Sequence, residues 1–389
     1  MALPSHYNVA VMLKVIIICI LLLKVNIANA SDAISIDSYL NFLEDSIFAN
    51  VIDAEVSSHT PSYVAKKVNS YIGFFATDGR EVFQQWLDHA GPYLPHIREI
   101  LREEGVPEDL ALLPLIESGF NVNARSPKKA MGLWQFMAST GALYGLKVNK
   151  WVDERKDPIK STRAAARHLR DLHNEFGTWP LALASYNAGS GKVRRALATT
   201  GASTFWEMGQ SRALKAETRN YVPKFMAALI IAKNPDAFGF ILPEDPAIEY
   251  DVIELPGGMD LRTVSKLANI NYSSLRGLNP GLKGYVTPFG EPYYVLRLPE
   301  GAGATLLENF DKLSPSEKMV YREHRIRQGD TVYEIAKRYG TNVSLIQQIN
   351  NLNKRYKIVP GDSILVPSNL PSDEGYVRLM TSSNVQPDT

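Results

Sequence analysis

The chain changes its hydrophobic period once, and that change limits what it can become. From Tyr63 to Ala232 apolar residues recur at helical spacing. Beyond the Pro-rich stretch Leu242-Pro243-Glu244-Asp245-Pro246 the pattern turns into short strand, helix, helix, strand. One uniform layer cannot satisfy both periods, so the expectation is multidomain: a mainly α domain over 63–240, followed by small α+β modules. At 389 residues there is chain enough for two or three domains with substantial cores.

Within the helical part, Val82, Phe83, Trp86 and Leu87 form one apolar stripe. Ile97, Ile100 and Leu101 continue in the next helix, which Gly105-Val106-Pro107 ends. Another helix is expected to open at Ser161-Thr162 and stop near Gly177. Trp179-Pro180 restarts the chain into the helix of Leu181 to Tyr186.

Glu117 interrupts this hydrocarbon. It ends the run Leu110-Ala111-Leu112-Leu113-Pro114-Leu115-Ile116 and is followed by Ser118-Gly119-Phe120. A carboxyl in such surroundings resists ionisation, because low dielectric penalises its charged form. A carboxylic acid that keeps its proton near neutrality is what acid-catalysed glycosidic cleavage needs. A lone Glu at a helix end is ordinarily just solvated. Here Ser126, Ala130 to Met137 and Ala184 to Gly189 gather polar and aromatic groups downstream, which favours catalysis. Pro114 inside the run removes an amide donor and is expected to kink the helix that starts near Asp109.

The C-terminal pattern is clearest from Tyr321 to Pro367. His324-Arg325-Ile326 reads as a strand, Gly329-Asp330-Thr331 as a turn capping a helix from Val332 to Tyr339, Val343 to Asn350 as a second helix, and Asp362 to Pro367 as a closing strand. A shift of 71 residues finds a weaker copy upstream. Lys266, Asn271, Ser273 and Asn279 are identical to Lys337, Asn342, Ser344 and Asn350, and Leu275 and Leu278 correspond to Ile346 and Ile349. Residues 250–300 are therefore read as a degenerate repeat, lengthened around Lys283 to Glu291. Residues 321–368 form the main unit, and 369–389 a flexible tail. Arg322 to Ser368 holds eight Lys and Arg against four Asp and Glu; a solvated face is the commoner meaning, attraction to an anionic polymer the other.

The order and spacing of the helical motifs resemble the family-1, SLT-type lytic transglycosylases, whose catalytic domain has a goose-lysozyme-like fold; the membrane-bound D subfamily is nearest in pattern. Glu117-Ser118-x-Phe120, Ser126 with Gly132-Leu133-Trp134-Gln135, Tyr186-Asn187-Ala188-Gly189, and Glu217-Thr218 with Tyr221-Val222 carry the match. The C-terminal units resemble LysM modules, βααβ folds that bind N-acetylglucosamine-containing glycans. Gly329-Asp330-Thr331, Ile335-Ala336, Ile349-Asn350 and Pro360-Gly361-Asp362 carry that second match.

The resemblance implies a mainly α lysozyme-like domain followed by LysM modules. It implies cleavage of the β-1,4 bond between N-acetylmuramic acid and N-acetylglucosamine, with 1,6-anhydromuramic ends. Glu117 is the implied single catalytic acid and then base. Ser126 and Gln135 suit N-acetyl and hydroxyl groups of the sugar, although Ser also commonly closes turns. Tyr186 could steady an oxocarbenium-like transition state and Asn187 orient it; Asn187-Ala188-Gly189 also suits a helix C-cap. Met137 and Tyr221 line the sugar cleft or pack in the core, and Glu217 orients substrate. Lys129 departs from the family, which usually has Gly there; a positive φ at that position would make Lys an awkward occupant.

No cofactor or metal is implied: His168 and His173 are five apart, and no HExxH run exists. Asp153-x-Arg155 reads as a structural ion pair or cap. The implied partners are peptidoglycan glycan strands and an N-acetylglucosamine polymer at LysM. A monomer is expected and no nucleic acid, since no domain is strongly basic.

Lys14, the apolar run Val15 to Leu23, and Ala28-Asn29-Ala30 read as a cleavable signal peptide over 1–30, with an uncleaved anchor as the alternative and Met12 as a second candidate start. Residues 31–62 follow as a lead-in of weak pattern. Cys19, the only cysteine, lies in the leader behind Ile18, which does not suit lipidation. The expected product is periplasmic, free of disulfides and thiol chemistry. Losing Lys14 and Lys24 brings 42 basic residues to 40 against 41 acids. Two further readings stay open: a muramidase on the same fold, and a non-catalytic LysM wall-binding protein.

Overall fold

The structure, a computed structural model, describes residues 62–243, 248–290, 293–314, 317–353, 357–369 and 377–380. The leader, the lead-in up to residue 61 and residues 244–247 of the Pro-rich stretch lie outside them. Two compact units emerge among the described residues. One takes the chain up to Phe120 and again from Ala166 to residue 243. The other takes Asn121 to Ala165 and the chain from residue 248 onward.

Helices α1 (Ser62–Ala76), α2 (Arg80–Ala90) and α3 (Leu94–Glu103) open the first unit. The buried stripe of α2 is Phe83, Leu87 and Ala90, whereas Val82, expected on it, is 50% exposed. Gly105 stops α3 as expected: it takes φ +69°, and the Val106 amide closes back on the Leu101 carbonyl at 2.8 Å.

The run leading to Glu117 is not the single helix that its pattern suggested. Glu108–Leu112 is a 3₁₀ turn, and α4 (Leu113–Ser118) starts afresh. Pro114 supplies the reason, since in a first turn its missing N–H removes no bond. Gly119 then ends α4 at φ +58°, where a Cβ would stand 2.3 Å from Cδ1 of Trp86. Only glycine lets that turn approach the indole.

The chain continues through α5 (Ala138–Leu143) and α6 (Pro158–Phe176). Helix α6 begins ahead of the expected Ser161, because Oδ1 of Asp157 accepts from the amides of Ile159 and Lys160 at 3.0 and 2.9 Å. It ends before Gly177, as expected, and α7 (Trp179–Ala188) follows with Pro180 in its first turn. Next come α8 (Ser190–Thr200), α9 (Phe205–Gly209) and α10 (Ala216–Lys233). From Tyr221 to Ala232, α10 is buried at every position except Lys224. It packs on α1, α4 and α7, which makes it the central helix of the first unit. The rings of Phe75, Phe83 and Phe240 fill the same core at centroid distances of 4.6 and 5.2 Å.

Two similar modules follow in the second unit. In the first, β1 (Tyr250–Pro256), α11 (Leu261–Leu267), α12 (Tyr272–Leu278) and β2 (Tyr293–Pro299) form a βααβ motif, with β1 and β2 antiparallel in the register Tyr250↔Pro299. Helix α13 (Ala302–Asp311) packs against this sheet. In the second, β3 (Met319–Arg325), α14 (Val332–Arg338), α15 (Val343–Ile349) and β4 (Ser363–Asn369) repeat the order. Thr331 opens α14 in a capping box with Glu334.

The internal repeat is legible in side chains as well as in topology. Nδ2 of Asn279 donates to the carbonyls of Leu275 and Arg297, and its Oδ1 accepts from the Arg297 amide at 3.0 Å. Asn350 does the same with Ile346 and Leu365, the last amide lying at 2.7 Å. Each asparagine ties the second helix to the closing strand. Strand β5 (Arg378–Met380) falls in the stretch expected as a flexible tail; it pairs instead with β1, satisfying backbone groups on that strand's outer edge.

Candidate active site

Glu117 lies one residue from the end of α4, with α10 beside it. Its side chain keeps some accessible surface, yet loss of water around the carboxyl lifts its pKa from 4.5 to about 7. Two neighbours work against that rise: Tyr221 donates its hydroxyl to Oε1, and the charge of Lys224 attracts the anion. Glu217 adds to the rise. The balance places the carboxyl where it can hold a proton at neutrality and release it without great cost.

The two tyrosines are held neutral. Burial and the negative charge of Glu117 push the hydroxyls of Tyr186 and Tyr221 well above their ordinary value. Each can therefore donate a hydrogen bond across the working pH range. The ring of Tyr186 lies 5.1 Å from that of His168, whose pKa burial pulls down to about 4. Asn187, in the last turn of α7, accepts from Thr218 Oγ1 at 2.9 Å, which joins the end of α7 to the start of α10. Gly189 ends α7 at φ +91°, so the capping role open to this motif is filled by the glycine. Glu217 is exposed in the first turn of α10.

Pattern reasoning overlooked Lys224 and Trp86. Lys224 interrupts the apolar run Val222 to Ala232, the same signal that singled out Glu117. Burial lowers its pKa, against the pull of Glu117. Its Nζ stands 5.9 Å from the centroid of Trp86, the indole that Gly119 packs against. No sequence signal marks Trp86, because its place on α2 is that of an ordinary stripe residue.

Ser126, Gln135 and Met137 belong to the second unit. Ser126 closes a turn: its Oγ accepts from the Ala130 amide at 3.0 Å, and its own amide donates to the Ala130 carbonyl at 3.0 Å. Lys129 in that turn takes φ +68°, the conformation that would suit glycine. Nε2 of Gln135 donates to the carbonyls of Gly132 and Ala124 at 2.8 and 3.3 Å, and Gln135 itself has φ +48°. Trp134 between them is fully buried and donates to Thr162 Oγ1 at 2.9 Å. Met137 is 42% exposed at the start of α5.

Arg155 holds this loop. It pairs with both carboxylate oxygens of Asp153 at 2.8 and 2.7 Å, and its Nη1 donates to the carbonyls of Lys129 and Phe136 at 3.0 and 3.1 Å. Asp153-x-Arg155 is thus the structural ion pair expected. Gly132, at φ +81°, leaves no space for a Cβ, which would fall 1.8 Å from the Arg155 carbonyl oxygen.

The raised Glu117 carboxyl stands beside neutral tyrosines, and two βααβ modules follow it in the chain. Family models match the chain in three places: Transglycosylase SLT domain over residues 96–208, Lytic transglycosylase MltD, LysM-like domain over 249–315, and LysM domain over 324–367. It is 34% identical over 292 residues to membrane-bound lytic murein transglycosylase D of Escherichia coli, a match covering 71% of this chain and 64% of that protein's length. Membrane-bound lytic murein transglycosylase F of Shewanella sediminis is 30% identical over 153 residues, covering 36% of this chain and 30% of the relative. Among solved structures, lytic transglycosylase Slt of Pseudomonas aeruginosa is 26% identical, covering 37% of this chain and 24% of that one, with a TM-score of 0.32. Among the described residues no helix is long and apolar enough to cross a membrane.

Proposed function

We propose that this protein is a peptidoglycan lytic transglycosylase. The observation that carries the reading is the Glu117 carboxyl, poised at about 7 by burial and by Tyr221. In its neutral form Glu117 protonates the oxygen linking N-acetylmuramic acid to N-acetylglucosamine, and that bond breaks. The resulting carboxylate then takes the proton of the muramic 6-hydroxyl as that oxygen attacks the sugar's own anomeric carbon. Glu117 ends protonated, ready for another cycle, and the product carries a 1,6-anhydro ring. Attack within one sugar draws its advantage from proximity.

A retaining glycosidase would normally place a second carboxyl about 5–5.5 Å away as nucleophile. Glu217, the acid whose charge Glu117 feels, is exposed in the first turn of α10 and better suited to orienting substrate. Tyr186 supplies a neutral donor to the reacting sugar, Tyr221 lines the cleft while its hydroxyl stays on Glu117, and Asn187 aids the sugar's orientation. Ser126 and Gln135 contact N-acetyl and hydroxyl groups through atoms beyond those spent on their turn, and Met137 offers apolar surface. The LysM module of residues 321–368 holds N-acetylglucosamine-containing strands. A cleavable leader over 1–30 takes the chain to the periplasm, where it works as a monomer.

Mass spectrometry of muropeptides released from purified sacculi tests this reading. Products lighter by one water, without a reducing muramic end, are expected. Reducing ends would make the enzyme a muramidase, and no soluble product would favour a wall-binding protein.

A further inference from the structure

Arg297 is anomalous within its own repeat. Asn279 grips its backbone as Asn350 grips that of Leu365, so the two positions correspond. The second repeat places there a leucine 7% exposed; the first places a guanidinium whose side chain is 11% exposed. A cation so buried needs a partner of opposite charge. It has one in Asp157, 140 residues upstream, with Nη1 to Oδ2 at 2.7 Å and Nη2 to Oδ1 at 3.2 Å. Burial alone would raise the Asp157 carboxyl, but Arg297 outweighs it and the pKa is lowered, so the pair stands ionised.

The backbone around Asp157 is joined to the same repeat. The Lys283 amide donates to the Trp151 carbonyl and the Asp153 amide to the Gly281 carbonyl, each at 2.8 Å. Val152 is a member of the repeat's own core, beside Leu282 and Leu296. The ring of Trp151 lies 4.9 Å from Phe289.

Residues 153–157 face two ways. Asp157 and the Asp153 amide reach the repeat, while Arg155, fixed by the Asp153 carboxylate, reaches the Lys129 and Phe136 carbonyls. We propose that the first LysM-type repeat braces the loop carrying Ser126 and Gln135, and that Arg297 is a positioning residue acting through Asp157 and Arg155. The catalytic half of this assignment rests on the proposed roles of Ser126 and Gln135 in sugar binding. The repeat is then part of the enzyme's working body, and wall attachment falls to residues 321–368.

The test uses the full chain with Arg297→Gln and, separately, Arg297→Lys, which keeps the charge but not the planar fork. Amide exchange is followed across 126–137 and 149–157, alongside kinetics on soluble glycan strands and binding to insoluble wall. Arg297→Gln should speed exchange in both segments and raise KM on soluble strands roughly three- to thirtyfold, with wall binding kept. Arg297→Lys should fall between it and the parent, and it carries the same readouts if circular dichroism shows Arg297→Gln unfolded. Parental exchange across 126–137 in a variant that loosens 149–157 overturns the brace. A parental KM despite loosening of 126–137 overturns the positioning role. Exchange needs no turnover, so a parent chain that cleaves no glycan would defeat the proposed function without touching the brace.

Discussion

Tyr221 donates its hydroxyl hydrogen to Oε1 of Glu117, although 104 residues separate them. That bond favours the carboxylate, whereas the desolvated surroundings favour the acid. The opposition keeps Glu117 near neutrality instead of far above it. An acid that must also serve as a base needs such a compromise.

Tyr221→Phe should therefore raise the pKa of Glu117. A hydrogen bond to a charged group is worth about 1.5–3 kcal/mol, so a shift of roughly one pH unit or more is expected. The alkaline limb of the kcat/KM profile should move upward by that amount. A limb that stays in place, or moves to lower pH, would contradict the balance described.

Glu117→Gln should abolish release of soluble muropeptides while leaving attachment to insoluble wall intact. Loss of acid and base assistance alone costs about 10²–10⁴ in rate. Product release from sacculi and cosedimentation with them, measured on one preparation, separate the two effects. Continued solubilisation by the variant would remove Glu117 from its role.

Glu117 should also cost the protein stability as pH rises. Its folded pKa of about 7 lies above the ordinary 4.5, so the folded state holds this proton more tightly than the unfolded chain does. That contribution is complete below 4.5 and lost as pH climbs through about 7. The shift corresponds to about 3 kcal/mol. Urea unfolding should show Glu117→Gln gaining on the parent by up to that amount from about pH 4 to about pH 8. A pH-independent difference would mean that burial does not govern the group.

Two backbone positions in the Ser126 loop should respond oppositely. Gly132→Ala puts a methyl 1.8 Å from the Arg155 carbonyl oxygen at φ +81° and should cost more than about 2 kcal/mol. Lys129→Gly relieves a left-handed residue at φ +68° and should be neutral or stabilising by up to about 1 kcal/mol, the entropy of glycine offsetting part of the gain. Thermal midpoints of the two variants check both signs.

Local chemistry made much of this protein legible before folding. Period and punctuation separated the helical part from the βααβ modules, because apolar spacing and Gly or Pro act through neighbours a few residues away. Glu117 stood out by ending an apolar run and by the polar and aromatic groups gathered downstream, and Asn279 and Asn350 by identity across the shift of 71. Other features depended on contacts between distant segments. Lys224 carried the same signal as Glu117, yet its meaning waits on helix α10 packing beside α4. The bond from Tyr221 and the pairing of Arg297 with Asp157 are likewise tertiary. Hydrophobic pattern is a property of neighbours in the chain. The pKa of a carboxyl and the partner of a buried guanidinium depend on neighbours in space, which only the folded backbone selects.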